Sequence, residues 1–285
     1  MPIIDILGVP HAYELTEPTH SREVLVFIHG WLLSRSYWQP LIELLSSDFQ
    51  CLSYDLRGFG ASQLTQQVNL QQMSADYSLA AYARDLGILL KSLNLSHVWL
   101  VGHSLGGSIA LWGADHLPEL IQGVICINAG GGIYLKEEFE RFRSVGQRLV
   151  KFRPRWLCYV PLLDLLFTRA SVAKAIAPRW GRQRLIDFVV AHPEAALGTL
   201  LDSTTEVEVH LLPQIVARLK QPVYFIAGSQ DPIMEPQYVN HLASFHPLFQ
   251  GCGANVMEIP NCGHLAMVEQ TDVVAAQIRT ILARK

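Results

Sequence analysis

A serine bracketed by glycines stands at Gly102-His103-Ser104-Leu105-Gly106, directly after the apolar run Val98-Trp99-Leu100-Val101 and before Gly107-Ser108-Ile109-Ala110-Leu111. A serine hydroxyl is a poor nucleophile at neutral pH. A chain that uses one projects it from a tight strand-to-helix turn, where a base reaches the oxygen and free amides hold the oxyanion that forms. Gly102 and Gly106 are what such a turn needs, because a side chain at either position collides with the strand or helix beside it. The strained backbone at Ser104 is tolerated only among small neighbours, and Gly107 and Ser108 extend that small surface. The chemistry this spacing suits is attack by Ser104 on a carbonyl carbon.

Positioning a nucleophile in this way takes a sheet of buried strands. Val24-Leu25-Val26-Phe27-Ile28 is an unbroken apolar run of strand length, as a strand covered on both faces reads, and it ends in His29-Gly30-Trp31. Helix is expected over 38–45, strand over 49–54, and helix over 76–93, where apolar residues from Leu79 to Leu93 recur at helical spacing behind Ser78 as N-cap. Further strands are expected at 123–128, 222–227 and 254–259, with a closing helix over 268–282. An opening hairpin is expected from 3–7 and 12–15 around Gly8-Val9-Pro10. Repeated strand–helix units imply an α/β fold with a doubly wound, mostly parallel sheet that binds ligands at the carboxyl ends of its strands.

About 85 residues separate Gly130-Gly131-Gly132 from Lys220, far more than the usual few-residue connection. Helical spacing over 136–152, over 156–177 with Pro161 kinking the path, and over 182–202 marks this as an inserted helical cap. The expected organisation is a core of 1–132 and 218–285 with a cap of 133–217, the three glycines letting the insert cross the mouth of the sheet. The most apolar part of the insert runs from Trp156 to Phe167. Three destinations stay open for it. One is packing of the cap onto the sheet, a second is a wall of the substrate pocket built from Trp156 and Phe167, and a third is a lid held on anionic lipid by Lys151, Arg153 and Arg155.

Composition narrows the function classes. Half of the residues are hydrophobic and 16% are charged, which suits a compact core and not a disordered chain. A net charge of −3 without a long basic block gives no footprint for nucleic acid. The N-terminal Met1-Pro2-Ile3-Ile4-Asp5 has no basic leader, and no apolar run reaches the length of a membrane span, so a soluble cytoplasmic protein is expected. The five scattered cysteines read as reduced thiols, Cys252 and Cys262 fit no zinc spacing, and no metal site is expected. The oligomeric state is open.

Four signals in order, H-G-W at 29–31, D-L-R-G-F-G-A-S at 55–62, G-H-S-L-G-G at 102–107 and a later Asp and His, resemble the α/β-hydrolase family across essentially the whole chain. In that family the nucleophile, the acid and the histidine come in this sequence order, the last two on loops after the final strands. The resemblance therefore implies Ser104 as nucleophile, Asp231 after the strand at 222–227 as orienting acid, and His264 after the last strand as base. It also implies an oxyanion hole from the backbone amides of Trp31 and Leu105, with His29 and Gly30 bracing that turn and His103 a structural neighbour within the elbow. Glu235 is the nearby substitute acid, and Asn128 leaves the family's other acid position vacant. Asp55 and Arg57 read as a local salt-bridged turn.

With serine at position 104, the resemblance excludes the haloalkane dehalogenases and epoxide hydrolases of this fold, which place an aspartate there. It implies a hydrolase that cleaves a lipophilic or lipid-like carboxylic ester through an acyl-enzyme, with no metal or organic cofactor. The same motifs occur in carbon–carbon bond hydrolases, in cofactor-free perhydrolases and in slow-turnover plant receptors, so those readings stay open. Acyl-lipid esters, small esters and isoprenoid esters such as a phytyl ester are all candidate substrates.

Overall fold

The computed structural model describes residues 1–63, 76–130 and 136–284, the side chains of 136–139 excepted. Gly131 and Gly132, with the expected boundary between core and insert, lie outside the described residues. The chain opens with a hairpin of β1 (Ile3–Ile6) and β2 (Val9–Leu15), paired antiparallel across Leu7 and Gly8, both at positive φ as a two-residue hairpin turn requires. The second strand thus starts at Val9, three residues earlier than expected. β3 (Val24–Ile28), a 3₁₀ turn over Arg35–Trp38, α1 (Gln39–Leu45) and β4 (Gln50–Tyr54) follow. Next come α2 (Leu79–Ser92), β5 (Val98–His103), α3 (Leu105–His116) and β6 (Ile121–Ile127). Ser78 caps α2 as its position implies, its side chain accepting the Ala81 amide.

Five α-helices are described between β6 and the next strand: α4 (Lys136–Lys151), α5 (Leu163–Arg169), α6 (Pro178–Val190), α7 (Pro193–Ser203) and α8 (Glu206–Arg218). β7 (Val223–Gly228), α9 (Pro236–Ala243), β8 (Val256–Ile259), α10 (Ala266–Glu269) and α11 (Thr271–Leu282) complete the chain. The eight strands form one sheet in the order β1-β2-β4-β3-β5-β6-β7-β8, parallel from β4 onward. The two N-terminal strands are its antiparallel edge.

Both faces of the sheet are dry, and the strands alternate between them. Val26, Ile28, Leu52 and Leu100 pack with Leu86, Leu89, Ile109 and Ile215 on one side. Leu25, Phe27, Trp99 and Val101 pack with Trp38, Leu41, Val274 and Ile278 on the other. This is why β3 reads as an unbroken apolar run rather than as alternation. Layers of helix on either face leave the carboxyl ends of the parallel strands as the place where loops gather.

The helices differ from expectation where local backbone chemistry stops them. The run expected as one kinked helix over 156–177 is instead a 3₁₀ turn over Arg155–Tyr159 followed by the short α5, broken at Pro161 and at Leu162, whose φ is +62°. The helix expected over 182–202 starts at Pro178 and splits into α6 and α7, since Pro193 has no amide to donate and holds His192 extended at ψ 133°. The closing helix likewise divides at Gln270 into α10 and α11. Cys51, Cys126 and Cys262 are buried free thiols as expected, whereas Cys158 is half-buried and Cys252 is exposed. No helix among the described residues is long and apolar enough to cross a membrane.

Candidate active site

Ser104 sits where β5 passes into α3, with φ 51° and ψ −120°. Few L-residues adopt this conformation, so the turn is strained, and its neighbours show what allows it. A Cβ at Gly102 would collide with the Gly106 carbonyl, and one at Gly106 would collide with the Ile28 carbonyl. Strand, turn and helix are therefore packed backbone against backbone, which only glycine permits. The Ser104 amide donates to the Ile127 carbonyl at 3.0 Å, tying the elbow to β6.

The loop after β7 carries Asp231, whose carboxylate is fully engaged. Its Oδ1 accepts the amides of Ile233 and Met234 at 2.8 and 2.9 Å. Its Oδ2 accepts His264 Nδ1 and Asn128 Nδ2, both at 2.8 Å. Burial alone would raise the pKa of this acid, but the electrostatic interaction and hydrogen bond with His264 and the two amides outweigh burial and hold the carboxyl below its usual range. Asp231 is thus an anion that fixes the proton of His264 on Nδ1, leaving Nε2 free to accept one.

His264 is held through its backbone as well as its ring. Its amide donates to the Ser171 carbonyl at 2.7 Å, and its carbonyl accepts His103 Nε2 at 2.7 Å. The preceding Gly263 amide donates to both oxygens of Glu269 at 3.1 and 3.0 Å, and the same carboxylate accepts the amides of Ala173 and Lys174 at 3.0 and 2.9 Å. Glu269 therefore clamps the histidine loop to the segment after α5. His103 is wholly buried, and that burial, with the His264 ring beside it, lowers its pKa to about 3. It stays neutral and structural.

Across the site the chain turns at His29-Gly30-Trp31. His29 is buried and held neutral by desolvation. Its Nδ1 donates to the Gly30 carbonyl at 2.8 Å and its Nε2 accepts the Leu56 amide at 2.9 Å, so it joins the ends of β3 and β4. Among the described residues neither the Trp31 nor the Leu105 amide donates to a backbone carbonyl. The Leu105 amide opens α3, where the helix dipole favours negative charge.

Ser104, His264, Trp31 and Leu105 border one cavity of about 390 Å³. Its remaining wall is largely apolar, from Phe142 and Leu149 on α4, Phe167 on α5, Phe188 on α6, Leu200 on α7 and Met234 after β7. Arg184 is the one lysine or arginine among the described lining residues. Its guanidinium lies 5.6 Å from the Phe167 ring centroid, and its buried Nη1 has no hydrogen-bond partner among the described residues.

Of the two residues expected on the wall, Phe167 lines this cavity and Trp156 does not. Trp156 is 62% exposed on the 3₁₀ turn, while Leu157 beside it packs inward. The substitute acid Glu235 is exposed at the head of α9, bonded to Gln237, and Asp231 alone of the two holds His264. Asp55 and Arg57 do not pair with each other. Asp55 binds Arg35 at 2.5 Å, and Arg57 binds Asp85 at 3.1 Å on α2, so each pins its turn to a different element. Asn128, Glu269 and Arg184 were not identified from sequence as parts of this site. Only Asn128 carried a signal, an amide at a strand end in the position of an alternative acid.

A family model described as the alpha/beta hydrolase fold matches residues 23–271. A putative carbamate hydrolase RutD of Pantoea ananatis is 35% identical over 136 residues, 48% of this chain and 46% of that protein, so the match spans under half of that relative's length. The RutD protein of Escherichia coli strain K12 / DH10B is 25% identical over 266 residues, 93% of each chain. Among solved structures, a thermophilic esterase from Thermogutta terrifontis superposes with a TM-score of 0.76 at 24% identity, covering 99% of this chain and 96% of that one. The enol-lactonase of Burkholderia xenovorans gives 0.77 at 20% identity, covering 99% and 100%. These structural likenesses concern the fold.

Proposed function

Because the chain belongs to the alpha/beta hydrolase fold family, we propose that it is a serine hydrolase that cleaves a lipophilic carboxylic ester through an acyl-enzyme on Ser104. The observation that carries this reading is the hydrogen bond from His264 Nδ1 to the anionic Asp231, on a histidine that borders the same cavity as the strained Ser104. In the proposed reaction His264 Nε2 takes the Ser104 proton as Oγ attacks the ester carbonyl. The amides of Trp31 and Leu105 hold the oxyanion, and His264 returns the proton to the departing alcohol. Water, activated by the same histidine, then releases the acid. Residues 133–217 serve as a cap whose helices wall the acyl or alcohol part of the substrate, and the apolar lining supports a greasy one. No metal or organic cofactor takes part in this scheme.

Arg184 refines the substrate class. A desolvated guanidinium nitrogen without a partner binds a carboxylate or phosphate oxygen better than it binds a neutral group. An ester with an apolar body and an anionic end satisfies both the wall and this cation.

A second reading, hydrolysis of a carbamate, is favoured by the match to RutD along 93% of both chains. Attack on a carbamate carbonyl requires the same serine, histidine and oxyanion amides. Turnover of matched p-nitrophenyl esters and carbamates separates the two. Ser104→Ala is expected to keep the fold while activity falls by about a thousandfold or more, with loss of fluorophosphonate labelling in parallel. Labelling that persists in this variant overturns the assignment of the nucleophile.

A further inference from the structure

The apolar run of the insert has two faces. Leu157, Leu163 and Phe167 turn inward and pack against the main core. Phe152, Trp156, Tyr159, Leu162, Leu165 and Leu166 turn outward, and the two most open, Phe152 and Tyr159, are 83% and 82% exposed. Scattered exposed apolar residues are ordinary on a protein surface, but six large ones within fifteen consecutive residues are a local concentration that calls for a partner. The chain breaks at Pro161 and Leu162 between the 3₁₀ turn and α5, and both elements carry exposed apolar side chains on either side of that break.

The charge around the patch says what chemistry covers it. Residues 141–184 hold eleven of the chain's 22 lysines and arginines but a single carboxylate, Asp164, in a protein whose net charge is −3. Arg148, Lys151, Arg155 and Arg169 are exposed, and among the described residues none of the four is ion-paired. A cationic rim around tryptophan, tyrosine, phenylalanine and leucine matches the interface of an anionic bilayer. There the rings sit at headgroup level, the aliphatic side chains enter the acyl boundary, and the cations meet lipid phosphates. A second copy of this chain would bring two such cationic rims together, which opposes self-association through the patch.

We propose that the outer face of residues 148–169 is a membrane-docking surface that seats the protein on anionic lipid bilayers without spanning them. Docking there sets the cavity against the lipid. Leu149, one turn before Phe152 on α4, is 42% exposed and also lines the cavity, and Phe167 lines it directly after the exposed Leu166. The surface is independent of which bond the enzyme cleaves.

The test is co-sedimentation of the full chain with vesicles of phosphatidylcholine alone and of phosphatidylcholine mixed with phosphatidylglycerol. Binding to the mixed vesicles, much weaker binding to the neutral ones, and loss of binding as salt rises are expected. A triple variant Phe152→Ser, Tyr159→Ser, Leu166→Ser is expected to bind about tenfold more weakly or less. A charge variant Lys151→Glu, Arg155→Glu, Arg169→Glu is expected to lose about a hundredfold. Both are expected to keep the wild-type melting temperature and the rate on a water-soluble short ester, since none of these residues lines the cavity. Failure of the wild type to sediment with mixed vesicles overturns the proposal. So does equal, salt-insensitive binding to neutral vesicles, or binding that survives both variants. A dimer in solution that the triple variant converts to monomer also overturns it, in favour of a second copy as the occupant.

Discussion

Asn128 Nδ2 and His264 Nδ1 meet the same oxygen of Asp231, each at 2.8 Å. Asn128 also donates to the Gly263 carbonyl at 3.2 Å, so one amide at the end of β6 orients both the acid and the histidine loop. Its φ of +50° is a conformation asparagine tolerates better than most residues.

Asn128→Gly keeps that backbone and removes the amide, and is expected to lower kcat about tenfold while the fold is retained. Asn128→Asp places a second carboxylate against Asp231, which raises the pKa of the pair. The acid limb of the rate–pH profile of that variant moves to higher pH. Asp231→Asn is expected to cost far more activity than Glu235→Gln, and the reverse order would reassign the acid.

Phe167→Ala enlarges the cavity that it lines and is expected to shift chain-length preference among esters more than the rate on a small acetate. Trp156→Ala leaves that preference unchanged, because Trp156 faces outward. A panel of p-nitrophenyl esters of increasing acyl length measures both.

Arg184→Met removes a desolvated cation that no carboxylate pairs within the described structure, while keeping length and apolar volume on the wall. Stability is expected to hold or rise, since the penalty of burying the charge outweighs one contact with Phe167. Activity on a hemisuccinate ester is expected to fall about tenfold relative to a neutral ester of equal length. Equal losses on both substrates would remove the anionic end from the substrate class.

Asp187, buried on α6, accepts the Ser34 hydroxyl at 2.9 Å, and burial raises its pKa from 3.8 to about 7. The native state therefore binds a proton between pH 4 and 7 that the unfolded chain has released, so this group's contribution to stability falls as pH rises through that window. Asp187→Asn removes the dependence. Its melting temperature is expected to match wild type near pH 4 and to exceed it by about 5 °C at pH 8.

What was legible in the sequence follows from what each segment has to satisfy locally. β3 and β5 are covered on both faces and announce themselves as apolar runs, and the elbow glycines are fixed by collisions of backbone with backbone inside a few residues. The order of Ser104, Asp231 and His264 and their places after strands point to one site, and the structure bonds Asp231 to His264 and sets His264 on the same cavity as Ser104. Asn128 lies 103 residues from the acid it contacts, and Glu269 reaches across to residues 173 and 174, so no spacing reports either. Composition also misled at Trp156. The apolar character of that run suggested burial, whereas a break at one proline and one left-handed leucine decides which side chains go in and which go out.

The separation of Asn128 from Asp231 also bears on how the molecule acquires its activity. β6 and β7 are neighbours in the sheet, yet the whole helical insert is synthesised between them. Their pairing closes a long loop before any contact rewards it, which makes it a slow event in folding. Strands β3 to β6 and the helices on them make contacts of shorter sequence separation and are expected to form first. During refolding, helical signal and much of the fluorescence change are therefore expected to return ahead of hydrolytic activity, because Asp231 and His264 come beside Ser104 only when the C-terminal strands dock. Recovery of hydrolysis is then expected to time the docking of β7 and β8.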